Sequence, residues 1–267
     1  MRLPTYFIPH GAGPCFFMEW SRGPADTWDK TAAWLKGLIA DLPKRPKAIL
    51  VVSGHWEEPV FTVGSGERPP LIYDYYGFPE QTYQLRFDAP GSPALARRVR
   101  ELLRAAGFPT AEDPERGYDH GVFVPLKLVT PQADIPVVQL SLRADLAPDA
   151  HLAAGHALAP LRDEGVLIVG SGMSWHNMRG FSPAFTARSE AFDTWLSRAM
   201  TDPARRDEAI RHWSRGDYAR EAHPREEHLA PLFVAAGAAE GEPGRHAFRD
   251  VAMDVVISGY AFGEQAG

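Results

Sequence analysis

The sequence predicts an α/β fold: a single domain over 1–267 with a mainly parallel central sheet covered by helices on both faces. Two observations carry this. Short apolar runs rich in β-branched residues recur, each closed by a glycine-bearing polar loop, and segments of helical periodicity follow them. The runs are also nearly continuous in apolar character, as strands buried on both faces are. At 267 residues and 45% apolar composition the chain can fill a sizeable core.

In chain order, the first strand is Thr5-Tyr6-Phe7-Ile8, closed by Pro9-His10-Gly11-Ala12-Gly13-Pro14. Trp28, Ala32, Leu35, Ile39 and Leu42 then recur at three or four residues and predict an amphipathic helix. Ala48-Ile49-Leu50-Val51-Val52 is the second strand, closed by Ser53-Gly54-His55-Trp56. The stretch 60–88, rich in Pro, Gly and Tyr, reads as shorter strands and loops. Leu95, Val99, Leu102 and Ala106 predict a second helix, with Ser92 as cap and Pro93 at its start. Val122 to Val129 is an apolar segment, and Ile135 to Leu140 a third strand. The fourth strand, Val166 to Val169, ends in Gly170-Ser171-Gly172. Helices are expected over about 148–161, 184–200, 204–214 and 225–238.

Composition removes several classes of function. The net charge of −6 offers no positive field for a phosphate backbone, so a nucleic-acid partner is not expected. No apolar stretch reaches the roughly 20 residues of a membrane span, and the N-terminus lacks a cleavable apolar core. A cytoplasmic protein is expected, since the single Cys15 excludes an intrachain disulfide and a multi-cysteine zinc site. Gly-x-Gly-x-x-Gly and the P-loop pattern are absent, and Gly170-Ser171-Gly172 lacks the Gly-x-Ser-x-Gly of a nucleophile elbow. Cys15, set in Pro14-Cys15-Phe16-Phe17, reads as a small buried hydrophobe.

Placement singles out five of the ten histidines. His10, His55 and His176 each follow a buried strand, and loops at the carboxyl ends of parallel strands converge on one crevice. Imidazoles gathered there suit either a divalent metal or proton transfer near neutral pH. His120 opens the apolar segment beside Asp119, an acid placed to orient or charge a ring. His228 lies in Pro224-Arg225-Glu226-Glu227-His228, near the start of a helix. His151, His156, His212, His223 and His246 sit in polar or helical contexts and read as background.

Together the motifs resemble a known family. Pro9-His10-Gly11, Ser53-Gly54-His55-Trp56, Asp119-His120-Gly121 with Val124-Pro125-Leu126, Ser171-Gly172 with His176-Asn177, and Glu227-His228 with Pro231-Leu232 occur in the order and spacing of class III extradiol ring-cleaving dioxygenases. The chain is similar to the single-chain DOPA 4,5-dioxygenase-like branch, from about residue 4 to the C-terminus.

The resemblance implies one non-haem divalent metal per chain, held by His10, His55 and His228, with His176 as acid–base residue and His120 close to substrate or oxygen. Glu227 is the fallback for His228, because neighbours on a helix point about 100° apart and both cannot easily face one metal. The implied reaction opens the ring of a catechol with O2 and retains both oxygen atoms, without an external reductant. Fe(II) suits that chemistry. Zn(II) also suits three histidines and an open position, so a zinc-dependent hydrolase is one rival reading and a non-catalytic binding protein another. Phe17, Trp175 and Tyr260 are expected as pocket walls. A homodimer or larger assembly is common for acidic enzymes of this size.

Overall fold

The computed structural model describes residues 1–263, so the last four residues of the expected domain lie outside the described part. Its strands are β1 (Thr5–Pro9), β2 (Ala48–Glu58), β3 (Phe61–Gly64), β4 (Thr110–Asp113), β5 (Val137–Arg143), β6 (Val166–Gly172), β7 (Gly244–Ala252) and β8 (Val255–Phe262). All belong to one sheet in the order β4-β3-β5-β2-β6-β1-β8-β7. The central four, β5-β2-β6-β1, pair in parallel, as near-continuous apolar runs require. Antiparallel strands flank them: β8 runs against β1, β7 against β8, and β3 against β5.

Side chains alternate along each central strand, and both faces are apolar. Phe7, Leu50, Val52 and Ile168 enter one core layer, while Tyr6, Ile8, Ile49, Val51, Leu167 and Val169 enter the other. Helices α2 (Pro93–Ala105), α4 (Pro148–Leu158), α6 (Thr186–Thr201) and α9 (Ala230–Ala238) cover the first layer. Helices α1 (Asp29–Gly37) and α3 (His120–Val129) cover the second. Short helices α5 (Pro160–Asp163), α7 (Arg206–Arg211) and α8 (Ala219–Ala222) complete the set. The Ser92 side chain accepts the Leu95 amide and Pro93 opens α2, as the sequence predicts.

Local differences from the sequence reading have physical reasons. The helix expected over 148–161 is interrupted before Pro160, which has no amide hydrogen to continue the ladder. The helix expected over 225–238 begins only at Ala230, so His228 sits in the turn ahead of it. The second strand continues through Glu58, which places His55 within β2. The β7–β8 hairpin was not anticipated; β7 alternates exposed and half-buried residues along most of its length, a pattern weaker than that of the core strands.

Candidate active site

The carboxyl ends of β1, β2 and β6 lie side by side, with Pro9 opposite Gly172 and Ser53 opposite Ser171. His10 follows β1, and its amide donates to the Gly172 carbonyl at 3.1 Å. β2 departs from its register with β5 between Val52 and Glu57, a bulge that turns the segment carrying His55 out of the ladder. The Met173 amide donates to the His228 carbonyl at 3.1 Å, tying the turn before α9 to the end of β6. That turn approaches so closely that a Cβ at Gly172 would collide with the His228 carbonyl oxygen.

The expected convergence is observed. Ring centroids are 4.9 Å apart for His10 and His55, 5.2 Å for His10 and His228, and 4.7 Å for His55 and His228. His120 joins them at 3.9 Å from His55 and 5.4 Å from His10. His176 lies flat on His228, 3.4 Å between centroids and 15° between planes. Ligand atoms of His10, His55 and His120 lie within 4.8 Å of one another, as do those of His176, Glu227 and His228.

The outer nitrogens of two of these rings are tethered. His10 Nδ1 donates to the Gly11 carbonyl at 3.0 Å, and His228 Nδ1 to Glu227 Oε1 at 3.1 Å. His55 Nδ1 faces Asp74 Oδ2 at 3.8 Å. This leaves the Nε2 atoms turned inward. His10 Nε2 is buried with no hydrogen-bond partner, and His228 Nε2 lies 3.2 Å from His55 Nε2. His228, with its Nδ1 donating to Glu227, presents a bare Nε2 toward His55 Nε2, so the three Nε2 atoms converge on one point. A cation there is bound by these nitrogens and satisfies the orphaned His10 atom, and hydrogen-bonded outer nitrogens, as on His10 and His228, are the usual setting of metal-bound imidazoles. The residues therefore fit a divalent metal.

Burial, and then the neighbouring imidazoles, hold the His10 and His228 rings well below the ordinary histidine range. Burial, then His120, lowers His55 to about 3. Neutral rings are what a metal site needs, because only the unprotonated nitrogen can bind.

Two acidic residues organise the cluster. Asp74 Oδ1 accepts from His120 Nδ1 at 2.8 Å and from the His120 amide at 2.9 Å, so one carboxylate orients the ring and caps α3. Burial raises its pKa, but the His120 contacts outweigh that and hold the carboxyl below its ordinary range. Glu227 Oε1 accepts from His176 Nδ1 at 3.2 Å as well as from His228. Burial again opposes ionisation, and the hydrogen bond from His176 helps to bring the Glu227 carboxyl below the ordinary range.

Several expectations are corrected by these contacts. Asp119 does not orient His120; it is buried beneath the site, accepting from Ser53 Oγ at 2.7 Å, from Arg116 at 2.9 Å and from Gln139. Glu227 and His228 do not diverge as helical neighbours, because they occupy a turn in which their side chains meet. Trp175 is fully buried against Phe185 and Phe192, and Tyr260 stacks on His246 at 5.1 Å, so neither forms a pocket wall. Phe17 is half-buried beneath the Lys127 ammonium at 5.8 Å. Asp74 was missed; its one sequence signal is an acid amid the aromatic run Tyr73-Asp74-Tyr75-Tyr76. Cys15 is buried, which pushes its thiol far above the ordinary range, as a packed hydrophobe requires.

Comparison with known proteins agrees with this geometry. Residues 4–260 match the family described as the catalytic LigB subunit of aromatic ring-opening dioxygenase. A Beta vulgaris protein named 4,5-DOPA dioxygenase extradiol is 42% identical over 239 residues, 88% of this chain and 86% of its own. An Escherichia coli K12 protein of the same name is 37% identical, covering 90% and 87%. The crystal structure of an uncharacterized Escherichia coli K12 protein superposes with a TM-score of 0.75 at 30% identity, covering 98% of this chain and all of the other. Family membership implies a divalent metal, for which the histidine cluster is the candidate site. The chain belongs to the LigB family of aromatic ring-opening dioxygenases, in the branch of the DOPA 4,5-dioxygenases, and is an extradiol dioxygenase.

Proposed function

We propose that this protein opens the aromatic ring of a catechol with O2, using one Fe(II) held by His10, His55 and His228. The observation that carries the reading is the trio of inward-facing Nε2 atoms, one orphaned and two opposed at 3.2 Å, each on a ring kept neutral by burial. Bound there, the metal supplies acidification of the catechol hydroxyls and the one-electron chemistry by which dioxygen reacts with an aromatic ring. Zinc has no accessible second oxidation state, which favours iron for this reaction.

His176 is the acid–base residue in this reading. With Nδ1 committed to Glu227, its Nε2 is the atom that accepts a proton from a substrate hydroxyl and later returns one. Its ring lies flat on that of His228, 3.4 Å between centroids, which supports a role beside the metal ligands. His120, oriented by Asp74, turns its own Nε2 toward the same space and serves as a hydrogen-bond partner for a substrate oxygen. His120 is also the rival of His228 for the third ligand position, since its ring approaches His55 more closely. We assign His228 because its Nε2 opposes that of His55 directly.

The test is dioxygen uptake by protein loaded anaerobically with Fe(II), against DOPA, protocatechuate, gallate and simple catechols. The expected result is one O2 consumed per ring opened, with a new visible absorbance. Silence across the panel, with iron verified in the protein, would contradict the reading.

A further inference from the structure

Strand β2 leaves its ladder with β5 where it carries His55. Val52 pairs with Leu140 and Glu57 with Leu142, so Ser53, Gly54, His55 and Trp56 together stand against Ser141 alone. A bulge of that size re-aims a side chain, but the interrupted ladder no longer fixes where the side chain points. Contacts outside the ladder must do so if His55 is to face the other imidazoles.

A buried carboxylate makes those contacts. Asp119, the residue before α3, has no exposed surface. Its Oδ1 accepts from Ser53 Oγ at 2.7 Å, and the same Ser53 oxygen accepts the His55 amide at 3.2 Å. Its Oδ2 accepts from Arg116 at 2.9 Å, and the Arg116 guanidinium lies 4.9 Å from the ring centre of Trp56. One side chain thus grips the bulge on both sides of His55, at Ser53 through a hydroxyl and at Trp56 through a guanidinium. Gln139 Nε2 also donates to Oδ2 and ties the group to β5, opposite Val51 and just ahead of the interruption. Three donors on two oxygens suit an ionised carboxylate, since an asparagine offers a single acceptor oxygen.

The start of α3 presses on the same segment. A Cβ at Gly121 would lie 2.7 Å from Ser53 Oγ and 2.9 Å from His55 Cδ2, so the approach requires glycine. The turn that carries His120 and the bulge that carries His55 therefore form one packed unit around Asp119.

We propose that Asp119 is a positioning residue for the metal: by holding Ser53 and, through Arg116, Trp56, it fixes the direction of His55 and with it the affinity and geometry of the bound ion. This rests on the assignment of His55 as a metal ligand. Asp119 acts through the backbone of β2 and not as a ligand, because both of its oxygens are committed to donors.

The test uses Co(II), titrated into the metal-free full-length protein and followed by calorimetry and by the visible bands of the bound ion, which report ligand geometry. Ser53→Ala removes one hydroxyl and should weaken Co(II) binding about tenfold or more and shift the bands. Asp119→Asn should weaken it further; where that variant does not fold, Ser53→Ala decides. Tyr118→Phe is the control. It removes another buried hydroxyl, one that donates to the Val137 carbonyl of β5 at 2.8 Å, and should lower the urea midpoint while leaving Co(II) affinity and bands at wild-type values. Wild-type affinity and bands in Ser53→Ala, or the same weakening in Tyr118→Phe, would overturn the proposal. His55→Ala separates the two levels: if it retains Co(II) in full, the ligand assignment falls, whereas its loss of Co(II) beside an unaffected Ser53→Ala overturns the role of Asp119 alone.

Discussion

His176 and His228 lie face to face, 3.4 Å between ring centroids, and donate their Nδ1 hydrogens to the same oxygen of Glu227. A single carboxylate oxygen therefore fixes the tautomer of the proposed metal ligand and of the proposed acid–base residue together. Behind it, Arg225 lies 3.7 Å from the other Glu227 oxygen and pairs with Glu57 of β2, joining the His228 turn to the strand that carries His55.

Glu227→Gln keeps the size of the side chain but removes the charge and turns one acceptor into a donor. Partners one step removed from a metal typically change affinity or activity by 10- to 100-fold when lost, and a loss of about that size is expected in both iron affinity and kcat. Iron content and steady-state rates measured on one preparation check this. Unchanged values for both would mean that Glu227 is not the organiser of the pair.

Alanine at His10, His55 or His228 should abolish stoichiometric iron, whereas alanine at His176 should retain it and lower kcat by about 100-fold or more. Alanine at His120 should also retain iron. Metal analysis of the five variants decides between His228 and His120 as third ligand, because only one of them is expected to lose the ion.

Gly172→Ala places a methyl group against the His228 carbonyl oxygen, which must shift to admit it. Overpacking of this kind costs about 1–3 kcal/mol, and here the displaced residue is also the proposed third ligand. A lowered urea midpoint together with weakened iron binding is expected. Wild-type behaviour in both would show that the turn before α9 is more accommodating than its packing implies.

His151 gives a pH dependence away from the site. Its Nδ1 donates to the Ala147 carbonyl at 2.9 Å and its Nε2 accepts the Arg143 amide at 3.1 Å, so the folded protein holds the neutral ring, and burial lowers its pKa to about 4. The unfolded chain binds the proton at about 6.5. Between those values the unfolded state carries more protons, so stability is full above pH 6.5 and falls as pH drops toward 4. The difference is on the order of 3 kcal/mol. Denaturant midpoints across that interval should decline in the wild type and decline less in His151→Gln.

The central strands and the histidines after β1 and β6 were legible because burial on both faces forces an unbroken apolar run and glycine marks the loop that follows. The edge strand β7 was not, because edge strands carry few core residues, as Arg245, Arg249 and Asp250 show, and without its partner the buried run of β8 was not read as half of a hairpin. The five histidines could be gathered from their position after strands and from the family's motifs. Their second partners could not. Asp74 lies 46 residues from His120 along the chain, and only tertiary folding of an irregular loop brings them together. The role of Glu227 was hidden by the assumption of a helix where the chain makes a turn, since the periodicity of α9 extends beyond the hydrogen bonds that define it.

The most direct test of the account is the fate of the two oxygen atoms. With Fe(II)-loaded protein, DOPA and ¹⁸O2, the account predicts a ring-opened product that carries both labelled atoms when trapped before exchange with water. A product carrying one label or none, with oxygen drawn from water, would contradict it.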